Sequence, residues 1–160
     1  MHDESKVGKF IVFKVTNYLL ALPINDVLKV LNCSNLANKG LLTMGVVQLG
    51  RHMIRVLNLQ EQLGVKLPYS PGSLPELPGE FPFLVITHGQ DGQFCGIPVH
   101  EPPNLVELSL EMMRSLPLSE RQSGVFKMVS HVATLPDNTT TIFLLDVKRV
   151  LNTVMNSMTF

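Results

Sequence analysis

Charge is scarce in this chain: Asp, Glu, Lys and Arg make up 16% of its 160 residues, against about a quarter in an average soluble domain. The 13 basic and 13 acidic residues cancel, and the basic ones never gather beyond a pair such as Lys148-Arg149. A surface that tracks phosphates needs a basic patch, so nucleic acid is excluded as a partner. Apolar runs stay short of the ~18 residues that a spanning helix requires, so no membrane span is expected. Met1 to Lys6 lacks the apolar core of a secretory leader. Only two cysteines are present, Cys33 and Cys95. They stand apart, without CxxC spacing, each beside strand-like apolar sequence. Buried, reduced thiols of a cytosolic protein are the expectation.

Catalytic signatures are missing as well. Nothing matches GxSxG, a P-loop or GxGxxG. His2, His52, His88, His100 and His131 are scattered, with neither HxxxH nor HExxH spacing, which gives no metal site. Acidic residues are mostly single and lie in loops or at strand ends, with no hint of a carboxylate pair. No cofactor and no enzymatic activity are expected.

What the chain has is apolar material, 45% of its residues, and a positive mean hydropathy of +0.22. So little polar surface implies exposed apolar patches and therefore partners, or else a core-rich small domain. It also has a duplication. Phe10-Ile11-Val12-Phe13 opens one half and Phe83-Leu84-Val85-Ile86 opens the other. Each is followed by a polar turn (Thr16-Asn17, then His88 to Gly92) and a returning strand. The returning strands end in Leu22-Pro23-Ile24 and Ile97-Pro98-Val99. Further on, Ile54-Arg55-Val56-Leu57-Asn58-Leu59 answers Ile142-Phe143-Leu144-Leu145-Asp146-Val147. The matched residues are packing residues, so two similar β lobes that serve as a binding module are the simplest reading.

Strands are expected over Lys9 to Val15, Leu19 to Ile24, Val27 to Leu31, Val46 to Leu49, Met53 to Leu59, Phe83 to Thr87, Gln93 to Val99, Leu105 to Leu108, Val125 to Leu135 and Thr140 to Leu145. Gly50-Arg51-His52 reads as a tight hairpin connection. Ser109 is placed to cap a helical turn that Pro117 ends. Val65 to Pro82 carries five prolines (Pro68, Pro71, Pro75, Pro78, Pro82), which suit neither a helix nor a central strand. It is read as a linker. From Asp146 onward, Val147, Val150, Leu151, Val154, Met155 and Met158 fall at helical spacing, with Asp146 as the N-cap. The organisation expected is one domain over 9–152, with lobe 1 at about 9–64, lobe 2 at about 83–145 and a C-terminal helix at about 146–158.

In its order of blocks the chain resembles the CheW-like family, the coupling domain of bacterial chemotaxis. The likeness is carried by Phe10 to Phe13 with Ala21-Leu22-Pro23-Ile24 and Val27-Leu28-Lys29-Val30, by Gly45 to Arg51 with Ile54 to Leu59, by Cys95-Gly96-Ile97-Pro98-Val99, and by Leu144-Leu145-Asp146. The resemblance implies a mainly β fold of two packed five-stranded SH3-like barrels with a C-terminal helix, and no catalysis. It implies coupling of a methyl-accepting chemoreceptor to a CheA-type histidine kinase, in the cytoplasm and at membrane receptor arrays. It places partner contacts on the strand holding Val27, Lys29 and Val30 and on the connection Gln48, Leu49, Gly50, Arg51 and His52, with Val27, Val30 and Leu49 as the apolar centre.

Departures from the family pattern fall on those surfaces. The family usually reads Asn-Leu-Arg-Gly where this chain has Gln48-Leu49-Gly50-Arg51, and it usually has an acidic residue where Lys29 stands. Arg55, Asn58, His100 and His131 also differ. Reversed contacts change partner choice more readily than fold. A diverged member that serves pilus motility or phototaxis, or that competes for array positions, is therefore an open alternative. A small-ligand or catalytic barrel is another, and it would show a polar pocket holding His88, His100 or His131 with a carboxylate.

Overall fold

The computed structural model describes residues 7–32, 46–59, 82–89, 92–117, 119 and 124–156. Among them the strands are β1 (Val7–Val15), β2 (Tyr18–Pro23), β3 (Val27–Asn32), β4 (Val46–Leu49), β5 (His52–Val56), β6 (Phe83–His88), β7 (Phe94–Val99), β8 (Asn104–Ser109), β9 (Met113–Ser115), β10 (Val129–Thr134) and β11 (Thr141–Leu145). One helix, α1 (Val147–Asn156), follows. The chain is mainly β, as the sequence implies.

Two sheets form. One runs β8-β1-β2-β11-β10-β9 and the other β3-β6-β7-β5-β4. The first must curl closed. Laid flat, six strands at ~4.8 Å spacing would separate β8 from β9 by about 24 Å. Yet only the three-residue 3-10 turn Leu110–Met112 joins them, and such a turn spans about 6 Å. Ser109 starts that turn by accepting a hydrogen bond from the Glu111 amide at 3.3 Å, the capping role expected of it.

The duplication is real, and its pieces are exchanged. Strand order and polarity in the two sheets match once β1, β2, β8, β11 and β10 are set against β6, β7, β3, β5 and β4. β1–β2 and β6–β7 are antiparallel hairpins, and each is flanked on one side by a parallel partner, β11 or β5. The hairpin of the first half, however, sits among strands of the second, and the reverse. Sheets and sequence halves therefore do not coincide as lobes at 9–64 and 83–145. The first sheet also has six strands rather than five, because the three-residue β9 pairs with β10.

This exchange explains the unbroken apolar runs. In β1, Phe10 and Val12 point into the first sheet's own interior with Ala21, Leu108, Ala133, Ile142 and Leu144. Phe13 and Val15 point the other way, into a core shared with Leu20, Leu22, Val85, Cys95, Ile97, Val99 and Leu145. In β6, Leu84 and Ile86 fill the second sheet's interior with Ile54. A strand buried on both faces reads as continuous rather than alternating hydrophobicity. Gly96 makes room for the Leu84 side chain to lie over β7, since a Cβ there would meet Leu84 Cδ2 at 3.0 Å.

Helix α1 closes the shared core with Val150 and Leu151. Asp146 caps it as expected, its Oδ1 accepting from the Lys148 amide at 2.9 Å. Val125 to Leu135 is not one strand: Gly124–Met128 is a 3-10 turn and β10 begins at Val129. The Met128 carbonyl accepts from the Asp146 amide at 2.8 Å, one residue beyond the last β10–β11 pair, Val129 with Leu145. The linker expected at 65–82 lies outside the described residues except for Pro82.

Candidate partner-binding site

Strand β3 is an end strand of its sheet and pairs only with β6 among the described residues. Its register slips between Val27, opposite Thr87, and Lys29, opposite Ile86. Leu28 is the extra residue of this bulge. A bulge breaks the strict alternation of faces, so three consecutive side chains reach solvent: Leu28 at 49%, Lys29, and Val30 at 39%. Val27 instead packs, half-buried, against the core shared by the two sheets. Leu31 packs against the second sheet's interior. Ile24, in the 3-10 turn just before the strand, is also exposed.

The second candidate segment is the β4–β5 hairpin. Leu49 pairs with His52 and Gln48 with Met53, which leaves Gly50-Arg51 as a two-residue turn. Gly50 has φ +61°, and Arg51 is not among the residues of positive φ. Glycine at the first central position is the pattern of a type II′ turn. The displaced arginine therefore lies in a turn, exposed, where a shift of one position need not turn it to an opposite sheet face. His52 is exposed and its ring lies 5.6 Å from Phe94, tilted by 48°. Its neighbour Met53 is exposed as well.

The structure thus groups Val27, Lys29 and Val30 on one end strand, and Gln48 to His52 at the other end of the same sheet, with β6, β7 and β5 between them in strand order. The exposed Ile24, Leu28 and Met53 were not singled out from the sequence. For Leu28 the missing signal was the bulge, since regular alternation gives Leu28 and Lys29 opposite faces.

The groups reserved for chemistry do not converge. His88 ends β6, half-buried, whereas His100 and His131 are exposed. A groove beside β9 is lined by Arg114, Ser115, Leu116, Pro117, Val132 and Phe143, with no histidine. No cluster of metal-ligating side chains occurs among the described residues. Cys95 is buried, and burial pushes its thiol up to about 12; Cys33 lies outside the described residues. Asp26 has its carboxyl raised, first by burial and then by the charge of Asp146, against an opposing pull from His88. No helix among the described residues is long and apolar enough to cross a membrane.

The model of the CheW-like domain matches residues 9–155. Among solved structures, the scaffolding protein TtCheW from Thermoanaerobacter tengcongensis shares the fold, with a TM-score of 0.61 at 18% identity, over 87% of this chain and 88% of that one. No curated protein matches the sequence.

Proposed function

We propose, because this chain belongs to the CheW-like domain family, that it is a non-enzymatic adaptor of a chemotaxis-like signalling pathway. It binds a CheA-type histidine kinase and couples it to a methyl-accepting receptor, in the cytoplasm and at receptor arrays. The observation that carries the site is β3, an end strand with Leu28, Lys29 and Val30 turned outward together.

A strand edge with no partner strand among the described residues, and with exposed apolar side chains, is a template for another protein's surface, and a lysine on it suppresses indiscriminate pairing. Lys29 therefore selects as well as protects, and it favours a partner that brings a carboxylate to that position. Arg51, held out on a tight turn at the other end of the same sheet, supplies a separate polar contact. The charge reversal relative to the usual family residue supports a partner other than the standard flagellar one. Kinases or receptors of pilus-driven motility or phototaxis are the candidates.

The test is copurification of the tagged protein from its native cell extract, followed by affinity measurements with Lys29→Glu and Arg51→Glu. A CheA-type kinase or a methyl-accepting receptor is the expected catch. Each variant should weaken binding about 5- to 30-fold, the range of 1–2 kcal/mol at a contact residue, with thermal unfolding unchanged. Recovery of neither partner, from cells that express both, overturns the adaptor reading. Parallel loss of stability and affinity makes Lys29 and Arg51 structural residues.

A further inference from the structure

Among the described residues, four of the nine strand pairings join the first half of the chain to the second: β1 with β8, β2 with β11, β3 with β6 and β5 with β7. Each half of the chain thus supplies a hairpin whose two flanking strands belong to the other half.

The cores are divided in the same way. Phe10, Val12 and Ala21 meet Leu108, Ala133, Ile142 and Leu144 in one sheet. Ile54 meets Leu84 and Ile86 in the other. The shared core takes Phe13, Val15, Leu20, Leu22, Leu57 and Leu59 from the first half and its remaining members from the second. A separated half would leave every core open and both edges of its hairpin unpaired. Such exposed apolar surface and free strand edges drive association.

We propose that the two halves are obligate complementary partners, clasped by these four seams, and that an unbroken chain between Leu59 and Pro82 is not needed to hold them together. The surface each half presents fits one kind of partner, a chain that carries the other half of this same pattern. The covalent link raises the effective concentration of one half around the other to the order of mM. At micromolar protein it therefore favours the assembled state by about a thousandfold over the same halves unlinked. This inference is independent of which signalling partner the protein binds.

The test uses the full chain with a specific protease site inserted between Gly72 and Ser73, purified folded and then cut. A second variant, with the site between Gly79 and Glu80, guards against an insertion that itself disturbs folding or resists cleavage. The expected result is co-elution of both fragments as one species of the intact mass, with the far-UV spectrum of the uncut protein, and separation only in denaturant. The unfolding midpoint of the cut protein should rise with protein concentration, while that of the intact chain stays fixed. Fragments that separate at micromolar concentration, or lose their β spectrum on cleavage in both variants, overturn the proposal. A cut protein whose midpoint is independent of concentration also overturns it, because association would then not be what holds the fold.

Discussion

Asp26 is the residue at which local chemistry works against the fold. It sits half-buried in the 3-10 turn between β2 and β3, and burial is the first cause of its raised pKa, with the Asp146 charge adding to it. A carboxyl whose folded pKa lies above its unfolded value of 3.8 binds its proton more tightly in the native state. It contributes stability below that unfolded value, and this contribution is lost as pH rises through the folded pKa. At neutral pH the ionised form is therefore a burden. Asp26→Asn should melt higher than the parent at pH 7, and the difference should close as pH falls below 3.8. Thermal melts of both proteins across that window check the sign. A variant that is less stable at pH 7 would show that the His88 attraction outweighs desolvation. Nothing about Asp26 stands out in the sequence, because the charges that act on it, His88 and Asp146, are distant along the chain.

At the scale of elements, legibility followed how local the cause was. The C-terminal helix is set by neighbours: an apolar stripe at 3.6-residue spacing and a capping aspartate, both readable by eye. Asp146 also approaches Arg149, with Nε to Oδ2 at 3.8 Å. Replacing it by alanine leaves the Lys148 amide without its side-chain acceptor and should cost about 1 kcal/mol, within the 0.5–2 kcal/mol typical of N-caps. Urea unfolding measures this, and the slope should stay unchanged if only the cap is lost. Strands whose two faces are both buried were readable as well, since runs such as Phe83-Leu84-Val85-Ile86 have few other uses. Strand β9 was not readable, because three residues are too few to show a period. The 3-10 turn at Gly124–Met128 was hidden too, because its apolar residues read equally as strand, and the hydrogen bond ending it comes from Asp146. Of the candidate contacts, Lys29 and Val30 face solvent as surface contacts require, whereas Val27 packs inward and Leu28 takes its exposed place. The bulge that causes this depends on the pairing with β6, 55 or more residues away in sequence.

For the whole molecule, the exchanged hairpins make a strong claim about cooperativity. Had each half formed its own barrel, two units joined by a linker could unfold in two steps. With four seams crossing between the halves and one core lying between the sheets, neither sheet can lose its strands without opening the other. Leu20 is a sensitive place to test this. It is fully buried, sits in β2 beside the parallel partner β11, and packs in the shared core with residues of both halves. Leu20→Ala should cost 2–5 kcal/mol, the range for a buried leucine that leaves a cavity. That loss should appear equally in the slowest-exchanging amides of β1 and β2 and in those of β6 and β7. Hydrogen exchange on the variant and parent reads both sheets at once. Equal loss of protection in both sheets supports a single cooperative unit. Loss confined to the six-stranded sheet would mean that the sheets open independently, with the strand exchange coupling their topology but not their stability.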